Sequence, residues 1–115
     1  MELESVETIW GAFFSECTAL KSAKFPKATF VDDRAFFQCT ELTSIEILNV
    51  TFIGDSAFML CSNLTSVALS GSFESDESYP FVSARGLQVV YAPAGSATEQ
   101  WAEKKGYVVI DTNEE

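Results

Sequence analysis

Histidine is missing from this chain, and basic residues are scarce: seven lysines and arginines stand against seventeen aspartates and glutamates, a formal charge of −10. Without an imidazole the commonest metal ligand and general base is gone. The negative surplus repels nucleic acid and anionic membranes through long-range electrostatics, so neither is an expected partner. Long apolar runs are lacking too. The longest, 87–93 and 107–110, fall far short of the roughly 20 residues of a membrane-crossing helix. The start, Met1-Glu2-Leu3-Glu4-Ser5, has neither a basic residue nor an apolar stretch, which predicts no secretory signal in this chain; it is then cytosolic or cut from a longer precursor. Three cysteines, with no fourth thiolate and no histidine, do not complete a tetrahedral metal site. No metal and no cofactor is expected.

What the chain does have is apolar mass and recurrence. Its 115 residues are 47% hydrophobic and include ten Phe, three Tyr and two Trp, enough for one core and one domain spanning 1–115. Ala35-Phe36-x2-Cys39-x2-Leu42-x2-Ile45 returns as Ala57-Phe58-x2-Cys61-x2-Leu64-x2-Val67. A step of 22 links Cys17, Cys39 and Cys61; Leu20, Leu42 and Leu64; Phe14, Phe36 and Phe58; and Ile9, Val31 and Ile53. A fixed period of this length marks a solenoid, whose coils cannot bury their own apolar faces and must stack.

Alternation within each copy, as in Leu42-Thr43-Ser44-Ile45-Glu46-Ile47, predicts half-buried parallel strands near 20–25, 42–47, 64–69 and 87–92. Lys24 then neighbours Glu46. Phe30-Val31 and Phe52-Ile53 form a second extended side before the turn signals Asp32-Asp33 and Gly54-Asp55. A fourth copy aligns only at a step of 23, placing Phe81, Ala84, Leu87 and Val90 in the Phe, Cys, Leu and Val columns. The extra residue falls in the Ser-, Gly- and acid-rich loop 70–80, expected to be exposed and mobile. The repeats run about 9–30, 31–52, 53–75 and 76–93, followed by a cap at 94–111. There Ser96-Ala97-Thr98-Glu99 is a capping box, Lys104 and Lys105 a basic last turn, and Gly106 a stop signal; Tyr107–Ile110 reads as a closing strand.

The phrase Ile53-Gly54-Asp55-Ser56-Ala57-Phe58-Met59-Leu60-Cys61-Ser62-Asn63-Leu64-Thr65-Ser66-Val67 is similar to the consensus of the BspA-type leucine-rich repeat. The resemblance covers roughly residues 9–93, and the ending 87–93 with a small helix carrying Trp101 resembles how such arrays finish. It implies a right-handed leucine-rich solenoid of about four coils with a parallel sheet along one side. It implies a surface or secreted protein, several members being adhesins, and carries no catalytic motif. Trp10-Gly11-Ala12-Phe13 departs from the usual Gly-Asp turn and puts Phe13 in the Ala35/Ala57 column, and Val31-Asp32-Asp33 lacks the turn glycine, so a distorted first coil is expected.

The three cysteines on one column read as buried free thiols acting as small hydrophobes. Asp33 and Asp55 share a column and could hold a Ca²⁺ ion or bond turn backbone; Glu74, Asp76 and Glu77 could hold a cation or form a solvated loop. Ser22, Ser44 and Ser66 line up without a base to activate them, hence a polar ladder and no enzyme. Asn49-Val50-Thr51 and Asn63-Leu64-Thr65 match the glycosylation sequon, which the repeat phrase generates by itself. The expected binding surface is the sheet face: Lys21, Ser22, Lys24, Thr43, Ser44, Glu46, Thr65, Ser66, Ala68 and Gln88. The expected function is a non-enzymatic protein-binding module, or alternatively a structural spacer or self-assembly unit. Absent a visible N-terminal cap, Ile9, Trp10, Phe13 and Phe14 should form an exposed apolar edge, through which two copies pair if the chain is complete or which further coils occupy if it is a fragment.

Overall fold

A computed structural model describes residues 3–11, 13–71, 81 and 84–112. The 22-residue step is the stacking register. Strands β2 (Ser22–Lys24), β4 (Ser44–Ile47), β6 (Ser66–Leu69), β7 (Val89–Ala92) and β8 (Val108–Asp111) form one parallel sheet in that spatial order; β1 (Thr8–Ile9), β3 (Phe30–Val31) and β5 (Phe52–Ile53) form a second. Ser22 pairs with Ser44 and Ser44 with Ser66, a step of 22, and Ser66 pairs with Val89, the step of 23 that the fourth copy required. The chain is a parallel-sheet β-solenoid of about four turns with a C-terminal helix and strand. Its strands start two residues later than the alternation suggests, because the leucines that recur every 22 residues sit in turns: Leu42 N–H donates to Cys39 O and Leu64 N–H to Cys61 O.

A third side of each coil is hydrogen-bonded without being a strand. Phe14 and Phe36 N–H donate to Ala35 and Ala57 O at 3.1 and 2.8 Å, and Glu16 and Gln38 N–H to Phe37 and Met59 O at 2.7 and 2.9 Å. This side bends because Glu16, Gln38 and Leu60 in one column, and Arg34 and Ser56 in another, adopt positive φ of 56–64°, a conformation that costs an L-residue roughly 1–2 kcal/mol. None is glycine, so no sequence signal marks it.

Inside the coils, Phe14, Phe36, Phe58 and Phe81 stack with centroids 5.3, 5.0 and 4.9 Å apart and planes within 3–11°. Each such pair adds about 0.5–1.5 kcal/mol beyond the area it buries. The thiols of Cys39 and Cys61 donate to Phe14 and Phe36 O, one coil back, at 2.9 and 3.0 Å; both residues are fully buried and unpaired to another cysteine, while Cys17 is half-buried. Burial, then the neighbouring Cys39, pushes Cys17 up; the adjacent Cys39 side chain, then burial, pushes Cys61 far above the ordinary thiol value of 9.0, while the Cys61 side chain holds Cys39 below it.

The described part of the first coil keeps the repeat's turn bond. Phe13 N–H donates to Trp10 O at 3.1 Å, matching Ala35 to Asp32 and Ala57 to Gly54 at 3.3 Å, and the departure shows at the side chain: Phe13 is 59% exposed where Ala35 and Ala57 are buried. Gly54 is needed for close approach. A Cβ there would lie 2.6 Å from Asp33 N.

At the other end, helix α1 (Ala97–Lys104) begins where Ser96 Oγ accepts from Glu99 N–H, and Glu99 Oε1 reaches back to Gly95 N–H rather than to Ser96. It ends in a Schellman motif, with Gly106 at φ 88° donating to Glu103 O and Tyr107 N–H to Ala102 O, both at 3.0 Å. Trp101 packs 6.0 Å from Phe81 and 5.9 Å from Tyr107, closing the ring ladder. Thr98 is buried and ties α1 to the third coil, Oγ1 donating to Ser70 O at 2.7 Å.

Candidate functional site

Pleating sends alternate residues of the long sheet outward. Two rows result: Ser22, Ser44, Ser66, Val89, Val108, and Lys24, Glu46, Ala68, Tyr91, Ile110. Lys21, Thr43, Thr65 and Gln88 stand exposed just before their strands, the last three donating backbone N–H to Lys21, Thr43 and Thr65 O at 2.8–3.0 Å. Thr43 and Thr65 hydroxyls repeat the same bonds at 3.1 and 3.2 Å. Six of the ten expected face residues thus lie in the two outward rows, and the other four, Lys21, Thr43, Thr65 and Gln88, form an exposed column at the strand starts. One correction follows: Ala68, between Glu46 and Tyr91, is only 8% exposed and offers no surface of its own.

Val89, Tyr91, Val108 and Ile110 were missed. They turn the rows from polar to apolar after β6, and Val108 is 60% exposed. The signal for Val89 and Tyr91 was present, since the 23-residue step places them opposite Ser66 and Ala68. For Val108 and Ile110 it was not: β8 joins at a step of 19, set by the helix length and not by the repeat.

The N-terminal edge is partly as expected. Trp10 and Phe13 are 60% and 59% exposed and Phe14 is half-buried against Phe36 and Phe25. Ile9 is fully buried, paired with Val31 in a core against which Leu3 and Val6 also pack, so it leaves that edge. Beside Phe14 lies an open cavity of about 570 Å³, lined also by Cys17, Leu20 and Lys21.

Turn carboxylates cap backbone. Asp33 Oδ1 accepts from Asp55 N–H at 2.8 Å, while Asp32 accepts from Gly11 and Asp33 N–H at 2.9 Å. Among the described residues no group of three or more His, Cys, Asp or Glu is arranged to hold a metal ion; Glu74, Asp76 and Glu77, with the loop that carries them, lie outside those residues. The sequon asparagines are also used within the stack, Asn49 Nδ2 donating to Pro26 O and Asn63 Nδ2 to Thr40 O at 2.6 and 2.8 Å.

A coil of one strand, a bend and a second extended side, repeated in register with Phe, Cys and Leu columns, defines a leucine-rich repeat solenoid. The chain belongs to the BspA-type leucine-rich repeat family: the model described as BspA type leucine-rich repeat region (6 copies) matches residues 2–100. Such domains generally mediate protein interactions and are typically found in surface or secreted proteins. No curated protein and no solved structure matches the chain. No helix among the described residues is long and apolar enough to cross a membrane.

Proposed function

We propose that this chain is a non-enzymatic protein-binding module of a cell-surface or secreted adhesin-like protein, and that it engages its partner through the outer face of the five-stranded sheet. One observation carries the reading: two outward rows run in register across successive coils, so the side chains of β2, β4 and β6 are held at fixed spacing on a rigid surface. Binding to a pre-ordered array loses little conformational entropy. The charged pair at its polar end, Lys24 beside Glu46, supplies orientation rather than bulk affinity. Pull-down against host matrix proteins tests this. The expected result is saturable binding weakened at least tenfold by Lys24→Glu or Glu46→Lys; failure of every such protein to bind, with self-association growing with concentration, replaces the module by an assembly unit.

That second reading rests on the cavity beside Phe14 and on the exposed Trp10 and Phe13. Residues 1–30 carry four acidic and three basic side chains, against thirteen and four in the remainder, so the first coil is where two acidic chains repel least. A two-fold homodimer through this end predicts that Trp10→Glu yields a monomer by light scattering; a monomer for the unmodified chain up to millimolar concentration removes it.

A further inference from the structure

The two edges of the long sheet are treated differently. On β2, Lys24 lies on the strand, Pro26 follows it, and Leu3 N–H already donates to Lys24 O at 2.9 Å. Lysine, proline and a covering segment are the devices by which natural sheets blunt an edge. β8 has none of them: its four residues are Val-Val-Ile-Asp, and no strand among the described residues lies on its far side. Val108 N–H donates inward to Gln88 O at 2.9 Å. Alternation along a parallel pair then directs the peptide groups of residues 108 and 110 toward β7 and those of Val109 away from it, to the open edge. The outward side chains next to that edge, Val108 and Ile110, continue into Val89 and Tyr91.

The geometry points to β8 as a strand-addition site, taking an extended segment of a partner protein whose valine-like residues alternate with basic ones. Main-chain bonds to Val109 supply the pairing, and the apolar rows supply pockets for alternate side chains. Basic residues follow from charge. The chain carries −10, and β8 ends on Asp111 and is followed in sequence by Glu114 and Glu115. The same charge argues against a second copy as the occupant, because pairing β8 with β8 brings two such acidic ends together. This site is separate from the Lys24 and Glu46 end of the face and stands whether or not that end binds anything.

The test titrates ¹⁵N-labelled protein with a short blocked peptide alternating valine with lysine and threonine, its glutamate-for-lysine counterpart, and the cationic peptide N-methylated at alternate amides. The cationic peptide is expected to shift amides at 107–112 and 88–92 and to slow exchange of the Val109 amide at least tenfold. Both counterparts should bind at least tenfold more weakly. Val109→Pro removes the outward N–H at an edge position where proline is tolerated, and Val108→Lys adds a blunting charge; each should abolish binding, while Leu48→Lys, just past β4 and three strands away from β8, should not. If Val109→Pro unfolds the chain, the N-methylated peptide still decides. Equal binding of that peptide, shifts confined to other strands, or no saturable binding at all would overturn the site.

Discussion

At the C-terminal end of the stack, Trp101 leans on Phe81, Tyr107 folds back onto Trp101, and Thr98 fastens the helix to the third coil. At the N-terminal end the same ring ladder stops at Phe14, beside an open cavity, with Trp10 and Phe13 largely in solvent. Both ends terminate the same stack of repeats. The difference shows that a solenoid's interior is set by its repeat, whereas each end needs its own solution for the apolar face and the strand edge. Here the ends divide that work: the first coil has a blunted sheet edge and a bare apolar end, the last a covered core and an open sheet edge.

The sharpest way to break this comparison is to remove rings along the ladder. Phe58→Ala, in a fully buried site, should cost about 3–5 kcal/mol. Phe14→Ala, half-buried beside existing space, should cost roughly half as much, because less packing is lost there. Urea unfolding of the two variants decides it, and equal losses would mean that the first coil is as tightly closed as the third.

Next in size is the turn column. Gly54→Ala places a methyl against the backbone of Asp33 and should destabilise by about 1–3 kcal/mol, whereas Gly11→Ala, whose nearest backbone atom is 3.0 Å away at the outer coil, should cost less. Thermal unfolding compares them directly.

A pH series separates the ends by chemistry. Cys17, Cys61 and Tyr107 all have raised pKa values in the folded chain, with burial among the causes. A raised folded value favours the protonated form, so its contribution is complete below the unfolded pKa, 9.0 for the thiols, and is lost as pH rises through the folded values. Cys39 is lowered by the adjacent Cys61 thiol and contributes with the opposite sign, offsetting Cys61, so the fall above pH 9 should come through Cys17 and Tyr107, and Cys17→Ala should flatten it.

The smallest effect concerns the bend. Leu60→Gly relieves a side chain at φ 64° while loosening the unfolded chain, and the two effects nearly offset, leaving a gain of about 0.5 kcal/mol. A loss above 1 kcal/mol in urea unfolding would show that the side chain, and not the backbone, holds that position.

Much of this was legible in the chain itself, because the stack converts sequence spacing into spatial neighbours. The 22-residue columns gave the register, the half-buried strands, the Phe ladder and the thiol row, and the step of 23 placed Phe81 and Ala84. Where the period stops, so does the reading. β8 and its outward Val108 and Ile110 depend on how an eight-residue helix folds back, which no column records. Ile9 was misjudged as exposed because residues before the first repeat, Leu3 and Val6, pack against the core without matching any column. The left-handed bend was invisible for a different reason: Glu16, Gln38 and Leu60 share a conformation but no chemistry.

Native-state hydrogen exchange resolved by residue tests the asymmetry of the two ends most directly. The amides of Glu16, Phe14 and Phe25, which bond the first coil to the second, should exchange through local opening at low free energy. Those of Ile110 and Tyr107, at the capped end, should require opening close to global unfolding. Protection that is equal at both ends, or a capped end that opens first, would contradict it.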